Sequence, residues 1–339
     1  MYIKGFRQKH KWNYYIRWGF VLLSLAGLVG CSLEPMNVEQ NYPPCQPNQD
    51  NANIYKNPTP HPLVSSIYQS YSLASSNPAS TPQIPVSGQD TLRSFALTFL
   101  IEEVKRWSNV KVIKLDDFSD AYIRITFLNP DLMQAIYLNE KLKQAGIVSE
   151  FEKQVSDAVN KISLRNELLF LVTISFYNRY PSQPTRHHLD IDVSNLKLTN
   201  TENLPVSPLH DDHNLDELID STQGAISGLI GYPLGLQVDK DCIWVLNPQF
   251  NTNIVIVMQS LLIDTNEKET YTWTIPYMPL IDAGNDLKLS DPVTLQTNDL
   301  GIFFPITTPP TNIELSVESE VFWRDYARFV WGYLTLDGK

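Results

Sequence analysis

Three cysteines in 339 residues are too few to read as a disulfide scaffold, so the chain must hold itself with a hydrophobic core. Its 43% hydrophobic content is enough for one. Positive charge is also scarce: 26 Lys and Arg against 37 Asp and Glu give a net −11. So acidic a chain disfavours nucleic acid and anionic lipid as partners of its folded part, and no nucleic-acid partner is expected. Standard catalytic signatures are missing too. The sequence has no Gly-x-x-x-x-Gly-Lys phosphate loop, no Gly-x-Gly-x-x-Gly after a strand and no His-Glu-x-x-His. Gly224-Ala-Ile-Ser227-Gly228 is out of frame for a nucleophile elbow and reads as a flexible turn. Glu102 and Glu103 fall on the expected wet side of a helix, and Asp116 and Asp117 on a turn between strands.

What the sequence does hold begins at its amino terminus. Lys4, Arg7, Lys9, Lys11 and Arg17 come with no acid, and an apolar run follows from Trp18 to Gly30. Basic segment, short apolar core and small residues at the end are the layout of a secretory signal peptide. Thirteen helical residues rise only about 20 Å, short of the roughly 30 Å hydrocarbon core of a bilayer. Leu28-Val29-Gly30-Cys31, at the end of that run, resembles the lipobox of bacterial lipoproteins. The resemblance covers the first 31 residues alone. It implies a diacylglycerol on the Cys31 thiol, cleavage just before Cys31, and usually acylation of the new amino terminus with a chain such as palmitate. Two or more acyl chains hold a protein on a membrane stably, at about 0.8 kcal/mol per buried methylene. Ser32 stands where an aspartate, in some bacteria, retains such proteins on the inner membrane. The implied location is therefore the cell membrane or outer membrane, lipid-anchored and facing the periplasm or cell exterior. Loss of residues 1 to 30 removes five positive charges, so 21 basic against 37 acidic residues leave −16.

Residues 31 to 90 hold ten of the 23 prolines among Asn, Gln and Ser, and predict a disordered tether. Beyond it the expected fold class is α+β. N-terminal helices with a small sheet (91–165) precede an antiparallel immunoglobulin-like β-sandwich (166–339). Helices are predicted over Thr91–Trp107 with Asp90 as cap, from Pro130 to about Ala145, and over 150–162 behind a Ser149/Glu152 capping box. Strands are predicted at VKVIKL, YIRITFL, ELLFLVTISFYNRY, HHLDIDVSNLKL, CIWVLNP, NIVIVMQSLLI, TYTWTIPYM and NIELSVESEVFW. In YIRITFL, Ile123, Ile125 and Phe127 alternate with Tyr122, Arg124 and Thr126, the period of a half-wet strand. The aromatic segment 321–336 fits a helix or a strand equally. CIWVLNPQFNTNIVIVMQ and GIFFPITTPPTNIELSVE match weakly at an offset of 59 residues. Of the cysteines left after Cys31, Cys45 and Cys242 either pair, pinning the tether to the fold, or stay as two thiols.

Four of the six histidines, His187, His188, His210 and His213, lie within 27 residues and among acids. They are the candidate metal ligands, with zinc or another divalent ion suited to such a set. The simpler reading makes Leu189, Ile191 and Val193 the buried face of a strand, the polar residues its wet face, and HDDHNLDELID an acidic loop. No catalytic or cofactor-binding residue is assigned and no cofactor is implied. The expected function is a non-enzymatic binding or envelope-assembly module whose partners are the membrane, through Cys31, and another envelope protein or polymer. The alternative is an envelope hydrolase whose loop-built site centres on His210 and His213.

Overall fold

A computed structural model describes residues 42–47, 86–143, 167–178, 186–199, 203–211, 215, 219–222, 224–246, 252–264, 269–277, 305–308 and 319–335. The segment expected to be a signal peptide, with Cys31, the expected capping box at Ser149, most of the second copy of the 59-residue echo, and His213 lie outside these residues. Residues 43–339 form one compact unit.

The central sheet runs β2 (Ser108–Lys114), β3 (Ser119–Phe127), β4 (Glu167–Asn178), β10 (Ile226–Pro233) and β8 (His210–Asp211), each antiparallel to its neighbour. A second sheet is built on the long strand β13 (Thr252–Ile263). On one edge β13 pairs β6 (Leu196–Thr199) and then β5 (His188–Ile191); on the other it pairs β14 (Glu269–Tyr277). The two-residue strands β7 (Pro205–Val206) and β9 (Ile219–Asp220) flank β6 and β5. The two sheets lie against each other as the layers of a sandwich. Ile123, Phe127, Phe170, Ile230 and Tyr232 of one face Leu198, Ile256, Trp273 and Ile275 of the other, all essentially buried. Hydrogen bonds cross between the sheets: Trp273 Nε1 donates to Ile123 O (3.1 Å), Tyr232 OH to Leu196 O (2.9 Å) and, at the margin, Asn109 Nδ2 to Thr274 O (2.6 Å). Phe127 stacks on Phe170, and Phe170 meets Tyr232 edge-on.

Outside the central sheet pack three helices, α1 (Val86–Arg106), α2 (Pro130–Lys143) and α3 (Glu320–Thr335); α1 packs on the other two, and α3 lies over Arg124 and Thr126 of β3. Asn129 caps α2 by accepting from Leu132 N, and Pro130 fills its first turn, where a missing N–H costs nothing. Asn139 donates to Ala96 O and Ala135 O, fastening α2 to α1. Trp331 Nε1 donates to Glu140 Oε2, fastening α3 to α2. A third, small sheet joins β1 (Pro44–Cys45), β11 (Gly235–Val238) and β12 (Asp241–Trp244). Cys45 and Cys242 form a disulfide within it. No helix among the described residues is long and apolar enough to cross a membrane.

Several expectations are corrected. The fold is mostly antiparallel sheet with few helices, and it does not run from helices to strands: the last described element, α3, is a helix. The helical region 91–165 and the strands after 166 are not separate units, because β3 and β4 are neighbours over nine residue pairs. A two-stranded ribbon is marginal alone and needs a third strand. The first helix starts at Val86, so Asp90 lies inside it. HHLDIDVSNLKL breaks at Asp192, which caps a 3₁₀ turn (Val193–Asn195). Ser227 is no turn residue; it sits in β10 and donates to Thr173 Oγ1 (3.1 Å). Glu103, expected wet, has no exposure and accepts from Trp107 Nε1 (2.8 Å). The end of NIELSVESEVFW enters α3 instead of a strand, since its aromatics continue at helical spacing to Trp331.

Candidate functional site

Alternation along β5 sets which histidine faces inward. His187 has the parity of Leu189, Ile191 and Val193, and all four are buried; Asp190 and Asp192 are exposed. The His187 ring bridges two carboxylates, Asp264 Oδ2 at Nδ1 and Asp116 Oδ2 at Nε2, each at 2.9 Å. Asp264, with φ +53°, follows β13, and Asp116 lies between β2 and β3, so one imidazole ties the two sheets. Burial alone would lower the His187 pKa, but the bonds from Asp264 and then Asp116 outweigh it, and the pKa is raised. Asp264 is likewise penalised by burial, yet the bonds from His187 and the His188 N–H hold its pKa down. Both ring nitrogens are thus engaged by carboxylates, and the arrangement is a clasp.

His210, exposed, is hydrogen-bonded through Nε2 to Glu167. The pair lies over Gly231: a Cβ there would come within 2.6 Å of both side chains, so glycine gives them room. Glu167 begins β4, whereas Asp116 lies near Ser119, which pairs with Asn178 at the far end of β4. Twelve strand residues span about 35 Å. The structure therefore holds His187 and His188 at one end of the central sheet and His210 at the other. Among the described residues, no group of three or more His, Cys, Asp or Glu is arranged to hold a metal ion.

The outer face of the central sheet carries the least expected chemistry. Tyr122, Arg124 and Thr126 of β3 do not meet water; α3 covers them. Arg124 has no exposed surface. Its Nη1 donates to Ser175 Oγ (2.9 Å), while Nε and Nη2 have no hydrogen-bond partner. The guanidinium carbon lies 5.0 Å from the Phe322 ring, 5.1 Å from Tyr326 and 6.0 Å from Tyr122. Beside it runs a line of hydroxyls: Ser108 to Thr126 (2.7 Å), Thr126 to Tyr326 (2.8 Å), and Ser227 to Thr173. Burial lowers the Arg124 pKa to about 10, which still leaves it charged at neutral pH. Nearby, between α1 and α2, burial raises the pKa of Glu103, and burial followed by the charge of Glu103 raises Asp131 to about 7.

Sequence reasoning missed Arg124 because a strand alternating apolar and polar reads as half-wet. The signal that could have found it is the aromatic segment 321–336: taken as a helix, it needs a sheet face to cover. Comparison with protein-family models finds no match, and comparisons with curated proteins and with solved structures find none.

Proposed function

We propose that this chain is a membrane-anchored extracytoplasmic lipoprotein whose folded part is a non-enzymatic binding or envelope-assembly module, its sandwich of immunoglobulin-like type. The observation that carries the reading is Leu28-Val29-Gly30-Cys31 at the end of a basic, then apolar, segment too short to span a bilayer. The Cys45–Cys242 disulfide supports it, since such bonds persist outside the reducing cytosol. The bond also sets the reach of the anchor. Fourteen Cα steps lead from Cys31 to Cys45, and fully extended they span at most about 50 Å. A chain held this way works close to its membrane. The function is tested by expressing Cys31→Ser beside the native chain and fractionating the cells. The native protein is expected in membranes and Cys31→Ser in the soluble fraction. Equal membrane association of the two would overturn the proposal.

A further inference from the structure

A guanidinium withdrawn from water needs an anion or a full set of acceptors, because burying an uncompensated charge costs several kcal/mol. Arg124 has neither. No carboxylate lies within ion-pair distance of it among the described residues, and a single serine hydroxyl accepts from it. The two nitrogens left over, Nε and Nη2, are adjacent. Their N–H bonds form the parallel fork along one edge of the guanidinium, the edge that takes two oxygens of one carboxylate or phosphate. The surroundings suit such a guest. The aromatic rings of Phe322, Tyr326 and Tyr122 exclude water and strengthen any charge pairing. The Tyr326 hydroxyl, held by Thr126 and Thr173, keeps its ring fixed beside the guanidinium.

We propose that Arg124 is the centre of an oxyanion-binding site between β3 and the first two turns of α3, where a ligand's carboxylate or phosphate takes the Nε and Nη2 fork. Phe322, whose ring covers the guanidinium, is the group that gives way on entry. Its turn is held by a hydrogen bond from Phe322 N to Ser319 Oγ (3.2 Å) and one from Trp323 N to Ser319 O (3.4 Å). Trp323, edge-on to Phe322 at 5.1 Å, reports that movement. The proposal goes beyond the lipoprotein reading and does not depend on it: anchoring is read in cell fractions, anion binding on the purified chain.

The test uses the full chain in detergent, titrated with inorganic phosphate and, separately, with sodium acetate, ionic strength held constant with sodium chloride. Thermal unfolding and tryptophan emission are followed. The expected result is a midpoint that rises with the logarithm of one anion's concentration, accompanied by a change in tryptophan emission. A larger response to phosphate identifies a phosphate-bearing ligand, a larger response to acetate a carboxylate. Arg124→Met is expected to fold, since it removes an uncompensated buried charge, and to show no response. Arg124→Lys, which keeps the charge and loses the fork, is expected to bind at least tenfold more weakly. A midpoint indifferent to both anions in the native chain overturns the proposal, as does an equal response in Arg124→Met. If Arg124→Met does not fold, undiminished affinity in Arg124→Lys overturns it instead.

Discussion

His187 holds the ends of both sheets through one ring, and its contribution has a definite pH window. The folded-state pKa of His187 is raised above the usual 6.5, so its stabilisation is complete below that value and is lost as pH rises through the folded pKa. Asp264 is shifted the other way. Its stabilisation is complete above the usual 3.8 and is lost as pH falls through its lowered folded pKa. The clasp is therefore strongest between about pH 4 and 6.5. Asp131 titrates at about 7 in the same region, so the informative quantity is a difference. Denaturant unfolding of the native chain and of His187→Asn is expected to show a gap of about 2 kcal/mol near pH 6 that narrows steadily toward pH 9. A gap that does not change with pH would show that the imidazole charge contributes nothing. The sequence reading put the polar residues of this strand on its wet face, yet His187 is buried, and its partners were not legible either. Asp116 and Asp264 stand 71 and 77 residues away and meet it only because the sheets stack.

Among the elements, α3 decides most. Phe322, Trp323, Tyr326, Phe329, Val330 and Trp331 are buried, so the helix is fixed by packing on the outer face of the sheet and on the neighbouring helices. Gly332 sets how closely it can seat. A Cβ at this position would lie 2.1 Å from Ile306 O, a backbone atom with little freedom to yield, because Ile306 N also bonds to Arg328 O (3.2 Å). Alanine favours helix over glycine by about 1 kcal/mol, but the clash works against it. Gly332→Ala is expected to lower stability by about 1–3 kcal/mol in urea unfolding. A gain in stability would mean that the 305–308 segment is not seated against α3. Helix and strand were equally open for this segment in the sequence, since aromatics favour neither strongly. The choice was made by the bare polar face of β3 and β4 that something had to cover.

At the scale of the whole molecule, the Cys45–Cys242 disulfide closes a loop of 197 residues that takes in α1, α2 and the central sheet. By the chain-entropy argument, a closed loop of that length stabilises the fold by about 5 kcal/mol. Cys45→Ala/Cys242→Ala, or the native chain under reductant, is expected to unfold at markedly lower denaturant, with a loss approaching that value. If denaturant curves with and without reductant coincide, the bond contributes nothing to the fold and serves only to fix residues 43–47 against β11. Burial of Pro47 against Gly235, where a Cβ would meet the proline ring at 2.6 Å, predicts that both roles are real.

The sequence by itself determined the local features: the basic, then apolar, pattern that ends at Cys31, the helix opened by Pro130, and the strands rich in β-branched residues. Each depends on neighbours within a few positions, through period, capping and length. Tertiary structure alone decided that Cys45 reaches Cys242, that β2 and β3 join the strands beyond 166, and that Glu103 and Arg124 are buried. Burial of a polar strand face depends on a helix about 200 residues later in the chain, and periodicity cannot register a cover that comes from so far away.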